Sequence, residues 1–145
     1  HAKDKKWILE GQKGSYETDS VILTTPSYIS SSIIETTNEK IADLLSTIKY
    51  ASMAFALFAF PSREVRPFDG SGFLVAKSEG LLMTACSWSS SKWEHLNDQE
   101  ATFVRVSAGR ADDDRAFNLD DEELTSALLE ELTRIVDIQA TPIES

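Results

Sequence analysis

At 145 residues and 41% hydrophobic content the chain is long enough to bury the core of one domain. Its formal charge of −10 and a pI near 4.6 argue against non-specific contact with nucleic acid or anionic lipid, which would repel it, and leave a basic partner or simple solubility as the meaning of the charge. A lone cysteine, Cys86, excludes an internal disulfide and fits a reducing cytoplasm, and no apolar run approaches the roughly 20 residues of a membrane span.

Taken in chain order, His1-Ala2 has the look of a tag remnant and is set aside, and no secretory signal is expected. Lys6 to Leu9 and Ser20 to Thr24 read as short strands around a Gly11 to Gly14 turn, with Trp7 and Leu9 on one face and Val21-Ile22-Leu23 covered on both. Thr25-Pro26 then opens a short helix through Tyr28, Ile29 and Ile33-Ile34, with Ser30 to Ser32 toward solvent. Thr36-x-x-Glu39 has capping-box spacing and starts a second helix whose apolar stripe is Ile41, Leu44, Leu45 and Ile48. Met53 to Phe60 is apolar at every position and ends at Pro61. It reads as a central strand, with a buried helix as the alternative, Phe55 and Leu57 packing on one side and Phe58 and Phe60 on the other.

After a charged loop from Ser62 to Gly70, three strands are expected at Gly72 to Lys77, Leu81 to Trp88 and Thr102 to Ala108, forming a small antiparallel sheet. Asp112-Asp113-Asp114 reads as a solvated loop. Asp120-x-x-Glu123 caps a final helix with Leu124, Ala127, Leu128, Leu132 and Ile135 buried and an exposed Glu130–Arg134 pair. The fold class is therefore α+β, a mostly antiparallel mixed sheet with flanking helices.

Several motifs are matches by letter only. Gly70-Ser71-Gly72 lacks the third glycine and runs into a strand where a phosphate site needs a helix N-terminus. Ser89-x-x-Lys92 lacks the partner motifs of acyl transfer. One cysteine and His95 do not make a zinc site, and the Asp112 to Asp114 run lacks the glycine and glutamate of a calcium loop, so no metal is expected. Trp93, on the polar Ser89 to Lys92 loop, either caps the sheet or offers a flat surface to a flat ligand, with Lys92 at hand for a carboxylate.

Five stretches carry a resemblance to one family. Asp19 to Ile34, Ile48-Lys49-Tyr50-Ala51-Ser52, GSGFLVAKSEG, TACSWSSSKWEH and SAGRADDD with the following DDEEL helix occur in that order. Together they resemble the bacterial flavin-dependent porphyrinogen oxidases, the protoporphyrinogen and coproporphyrinogen III oxidases, in their Gram-positive form. Ala76 and Glu94 stand where that family usually has proline.

The resemblance implies the substrate domain of an amine-oxidase-like flavoenzyme. Residues 1–34 would be an edge segment of the FAD-binding domain, and 35–145 the porphyrinogen-binding domain. The family's N-terminal Gly-x-Gly-x-x-Gly and its C-terminal glycine-rich FAD segment have no match here, so the chain is expected to be an internal piece, inactive alone and without bound FAD. Its parent would be a cytoplasmic, oxygen-dependent enzyme of haem biosynthesis.

The substrate contacts implied are Gly72, Phe73, Leu74, Met83 and Trp93. Thr24, Thr25 and Pro26 would lie near the cofactor, and no catalytic residue is assigned. Expected partners are the porphyrinogen and the rest of the parent polypeptide, with membrane association open only to the parent. The alternatives are an acidic protein-interaction module and the substrate domain of another amine-oxidase-like flavoenzyme.

Overall fold

The computed structural model describes residues 2–3, 6–66, 69–96 and 100–145; His1 and part of the charged loop expected at Ser62 to Gly70 lie outside them. It divides into two compact units, His1–Tyr50 and Ala51–Ser145.

In the first unit β1 (Ala2–Lys3), β2 (Lys6–Gly11) and β3 (Gly14–Thr18) form an antiparallel sheet in that order. The Gly11 to Gly14 turn closes a tight hairpin, Gly14 sitting at φ 129, so β2 pairs with the segment directly after the turn. The strand expected at Ser20 to Thr24 does not form. Val21 to Leu23 has no strand partner among the described residues, and Ile22 is 87% exposed rather than covered on both faces.

Helix α1 (Ser27–Ile34) begins after Pro26, whose missing N–H is harmless there. Its inner face is not the apolar one. Ser27 and Ser30 are buried while Tyr28, Ile29 and Ile33 are exposed; of the serines expected toward solvent, Ser32 is exposed, Ser31 is half-buried and Ser30 turns inward. The Ser30 hydroxyl pairs with Oγ1 of Thr25 at 2.8 Å, the Ser27 N–H donates to the Tyr50 hydroxyl at 2.8 Å, and Tyr28 packs edge-on against Tyr50.

Helix α2 (Glu39–Ser46) is capped by Asn38, whose Oδ1 accepts from the Ile41 N–H, and not by Thr36. It buries Ala42, whose carbonyl accepts from the Ser31 hydroxyl of α1. The expected stripe of Ile41, Leu44 and Ile48 is exposed.

The second unit is built on a four-stranded antiparallel sheet of order β4-β7-β6-β5, from β4 (Ala54–Pro61), β5 (Gly72–Leu74), β6 (Met83–Trp88) and β7 (Ala101–Ala108). The three strands expected here are present within a few residues. β4, however, is an edge strand and not a central one; its outer side is met by the tail, the Ala59 N–H donating to the Glu144 carbonyl and the Ile143 N–H to the Ala59 carbonyl. Phe58 and Phe60 do point into the core as the alternation requires, while Phe55 and Leu57 are exposed.

Helix α4 (Asp121–Val136) carries the expected capping box, with Asp120 accepting from the Glu123 N–H and Glu123 accepting from the Asp120 N–H. Leu128 and Leu132 are fully buried against Phe58, Phe60, Met83, Val104 and Val106. The buried stripe is turned from the expected one, so that Ile135 is exposed while Leu129 and Val136 pack on the core, and the Glu130–Arg134 pair does not form. Among the described residues no helix is long and apolar enough to cross a membrane.

Candidate functional site

Antiparallel pairing fixes which side chains share the face of the four-stranded sheet opposite the core. One row across the strands is Leu57, Arg105, Ser87 and Gly72, and the next is Phe55, Ser107, Ala85 and Leu74. The large apolar residues stand on the outer strands, and the inner strands contribute Ser87, Ala85 and Ser107. The face is thus a shallow trough, about 14 Å from β4 to β5 at the usual strand spacing. Leu74 is 86% and Phe55 69% exposed, a cost in water that single exposed side chains do not raise but a contiguous patch does.

At one end of the trough β6 runs into α3 (Ser89–Lys92), a single helical turn tied to β7 by the Phe103 N–H donating to the Ser90 hydroxyl. This turn delivers Trp93, which is 52% exposed, with the Lys92 ammonium 5.9 Å from its ring centre and His95 ring-to-ring at 6.2 Å. The ring is not part of the buried core. Gly72, opposite Ser87, is at the same end of the sheet.

The expected contact residues therefore separate by strand parity. Gly72 and Leu74 are on the open face and Trp93 is accessible. Phe73 faces the other way and packs on Trp88 at 5.7 Å, at the margin of the core. Met83 is fully buried on the core side, paired across from Ala108 and beside a bulge, so it does not line the wall with Leu74.

Gly72 also has a reason of its own. At φ 145 a Cβ would sit 2.2 Å from the Cys86 carbonyl oxygen, so it is the backbone of β6 that approaches closely there.

Three residues of the trough went unread as a site, namely Phe55, Leu57 and Arg105. The signal for Arg105 was the alternation in Val104-Arg105-Val106, which turns it outward. Its guanidinium lies 5.9 Å from the centre of the Phe55 ring, and among the described residues it makes no ion pair.

Several other residues of the resembling stretches are structural instead. Burial pushes the Cys86 thiol up to about 12, so it is a neutral core residue and no nucleophile. Arg110 donates to the Val75 carbonyl at 3.0 Å, and Gly109, at φ 107, clears the Ser52 carbonyl. Arg115 grips Asp113 and the carbonyls of Gly80 and Leu81, and its guanidinium holds the Asp113 carboxyl down to about 2. Asp112 pairs with Lys77.

In the first unit Thr24, Thr25 and Pro26 are exposed ahead of α1, with Thr25 already engaged by Ser30. An apolar groove of about 250 Å³ lies nearby, lined by Trp7, Leu9, Val21, Leu23, Ile33 and Ile34 among others. That is below the roughly 300 Å³ at which small-ligand pockets begin, and no glycine-rich strand-to-helix turn accompanies it. These residues do not by themselves fit a flavin dinucleotide.

A family model described as flavin containing amine oxidoreductase matches residues 2–144. The chain belongs to this family. Within the flavin containing amine oxidoreductases it is 27% identical over 138 residues to the coproporphyrinogen III oxidase of Bacillus subtilis (strain 168), covering 94% of this chain and 29% of that one. It is 25% identical to that of Staphylococcus aureus (strain NCTC 8325 / PS 47), covering 86% of this chain and 26% of the relative. Protoporphyrinogen oxidase 1, chloroplastic, of Spinacia oleracea is 26% identical over 129 residues, covering 84% of this chain and 23% of its own.

Among solved structures, the crystal structure of "Putative protoporphyrinogen oxidase" from Exiguobacterium sp. 255-15 superposes with a TM-score of 0.79 at 25% identity, covering 99% of this chain and 31% of that one. The α+β fold is that of this relative. The chain spans less than a third of the length of each.

Proposed function

We propose that this chain is the substrate-binding part of a longer, FAD-dependent porphyrinogen oxidase, which converts coproporphyrinogen III or protoporphyrinogen IX to the porphyrin with oxygen as acceptor, in the cytoplasm, for haem biosynthesis. Residues 1–34 would belong to the edge of the flavin domain, with Thr24, Thr25 and Pro26 toward the cofactor, and 35–145 to the porphyrinogen-binding domain. The flavin itself would be held by the remainder of the polypeptide, so the 145 residues alone would be inactive.

The observation that carries the reading is the open face of the four-stranded sheet: Leu57, Phe55 and Leu74 standing over a floor of Ser87, Ala85 and Ser107, with Trp93 exposed beyond β6. A flat apolar surface suits a flat macrocycle, because stacking and area burial need breadth and not depth. The relatives named as coproporphyrinogen III oxidases support the choice of macrocycle.

Trp93→Ala in the full-length enzyme tests this. Loss of the ring should raise KM for coproporphyrinogen III by roughly tenfold, the size expected for a lost stacking surface. Flavin loading should stay as in the unsubstituted enzyme. A KM that does not move would remove Trp93 from the site.

A further inference from the structure

Within the open sheet face one side chain is out of place by charge. Leu57, Phe55, Leu74, Ser87, Ala85, Ser107 and Gly72 are all uncharged, and Arg105 stands among them on the second strand from the edge. A surface arginine ordinarily has carboxylates near it in a chain with 24 acidic residues against 14 basic ones, yet among the described residues this guanidinium makes no ion pair and its one ring interaction is with Phe55. Its neighbours across the strands leave room on one side only. Toward β4 stand Leu57 and Phe55, while toward β5 come Ser87 and then Gly72, which has no side chain at all. The result is a bay about 10 Å across, from Arg105 to Gly72, with a polar but neutral floor.

We propose that Arg105 binds a carboxylate of the substrate, fixing the orientation of a flat, acid-bearing tetrapyrrole on this face. This rests on the functional reading above and adds to it the group that reads the substrate's acidic periphery. Three features suit the guanidinium to the task. Its planar fork can take a carboxylate with two parallel N–H donors, the Phe55 ring beneath it limits its freedom, and the apolar surroundings weaken competition from water once a macrocycle covers the trough. The partner chemistry follows from the face itself: a small apolar plate with carboxylates at its rim meets this guanidinium and the apolar walls together.

The experiment uses the full-length, flavin-loaded enzyme and measures KM and kcat for coproporphyrinogen III and for its tetramethyl ester. For Arg105→Gln, KM for the free acid should rise about tenfold with kcat within about twofold, because an interaction made equally in ground and transition states is lost. The ester, which has no carboxylate to bind, should show the same KM for Arg105→Gln and the unsubstituted enzyme. Arg105→Lys should recover part of the affinity for the acid, since it keeps the charge and loses the fork.

An Arg105→Gln KM unchanged for the acid overturns the proposal, as does an equal rise for acid and ester, which would make Arg105 a support for the sheet surface. If the unsubstituted enzyme oxidises neither coproporphyrinogen III nor protoporphyrinogen IX, the functional reading itself fails, and this proposal with it.

Discussion

At the scale of single residues, a glycine and an arginine–aspartate pair help to hold the second unit in shape. Gly72 is required by β6: a methyl there would press on the Cys86 carbonyl and the Ser87 Cα at a φ of 145 that side chains rarely adopt. Gly72→Ala should therefore destabilise the protein by roughly 1–3 kcal/mol from backbone strain, before any displacement of β5 is counted. Thermal or urea unfolding checks this, and a variant as stable as the parent would show that β5 can shift freely.

Asp113 offers a test by pH. Its carboxyl is hydrogen-bonded by Arg115 and held down to about 2, from an ordinary value of 3.8, so its contribution to stability is complete above about 4 and is lost as pH falls through about 2. Asp113→Asn should accordingly be less stable than the unsubstituted protein at neutral pH, with the difference closing between pH 4 and 2. A gap that persists unchanged at pH 2 would mean that the contact works through shape and not charge. Because Arg115 also holds the carbonyls of Gly80 and Leu81, the loss should be felt in the turn before β6.

At the scale of elements, one carboxylate ties α4 to the start of β6 beside their apolar packing. Glu131 Oε1 accepts from the Leu82 N–H at 3.0 Å and Oε2 from the Met83 N–H at 2.8 Å, beside the bulge where β6 leaves its register with β7. Glu131→Ala strands two part-buried amides at roughly 1–3 kcal/mol each, and hydrogen exchange at Leu82 and Met83 should accelerate well beyond that of the central β7 amides. Equal protection in Glu131→Ala and the unsubstituted protein would show that water replaces the carboxylate.

What the sequence disclosed at this scale follows the physics of each signal. The α4 cap, the β6 and β7 strands and the inward Phe58 and Phe60 were legible because a capping box and strict alternation are local rules with local partners. The Ser20 to Thr24 strand and the buried stripe on α2 do not form as expected because an apolar run carries no information about which partner surface, if any, lies against it. Ile22, Leu44, Phe55 and Leu57 are all exposed. Met83 was misplaced for a different reason: the bulge between Met83 and Ala85 sets its side chain into the core, and no feature of the lettering marks a bulge. Arg105 is not distinguishable by sequence, because a charged residue in a strand looks like an ordinary solvent-facing one until its neighbours on the face are known.

At the scale of the whole molecule, the two sides of the four-stranded sheet explain each other. One side is closed by α4, with Leu128 and Leu132 sealed against Phe58 and Phe60, and its apolar content is accounted for by stability. The other side presents Phe55, Leu57 and Leu74 to water, although their exposure gains the fold nothing. On the proposed reading, this is the face on which the substrate lies.

The direct measurement is steady-state KM for coproporphyrinogen III in the full-length enzyme carrying Leu74→Glu. Leu74 is 86% exposed, so the melting temperature should stay as it was while the new carboxylate repels the acid-bearing substrate. A KM raised at least about tenfold with an unchanged melting temperature is expected. An unchanged KM would contradict the assignment of this sheet face to the substrate.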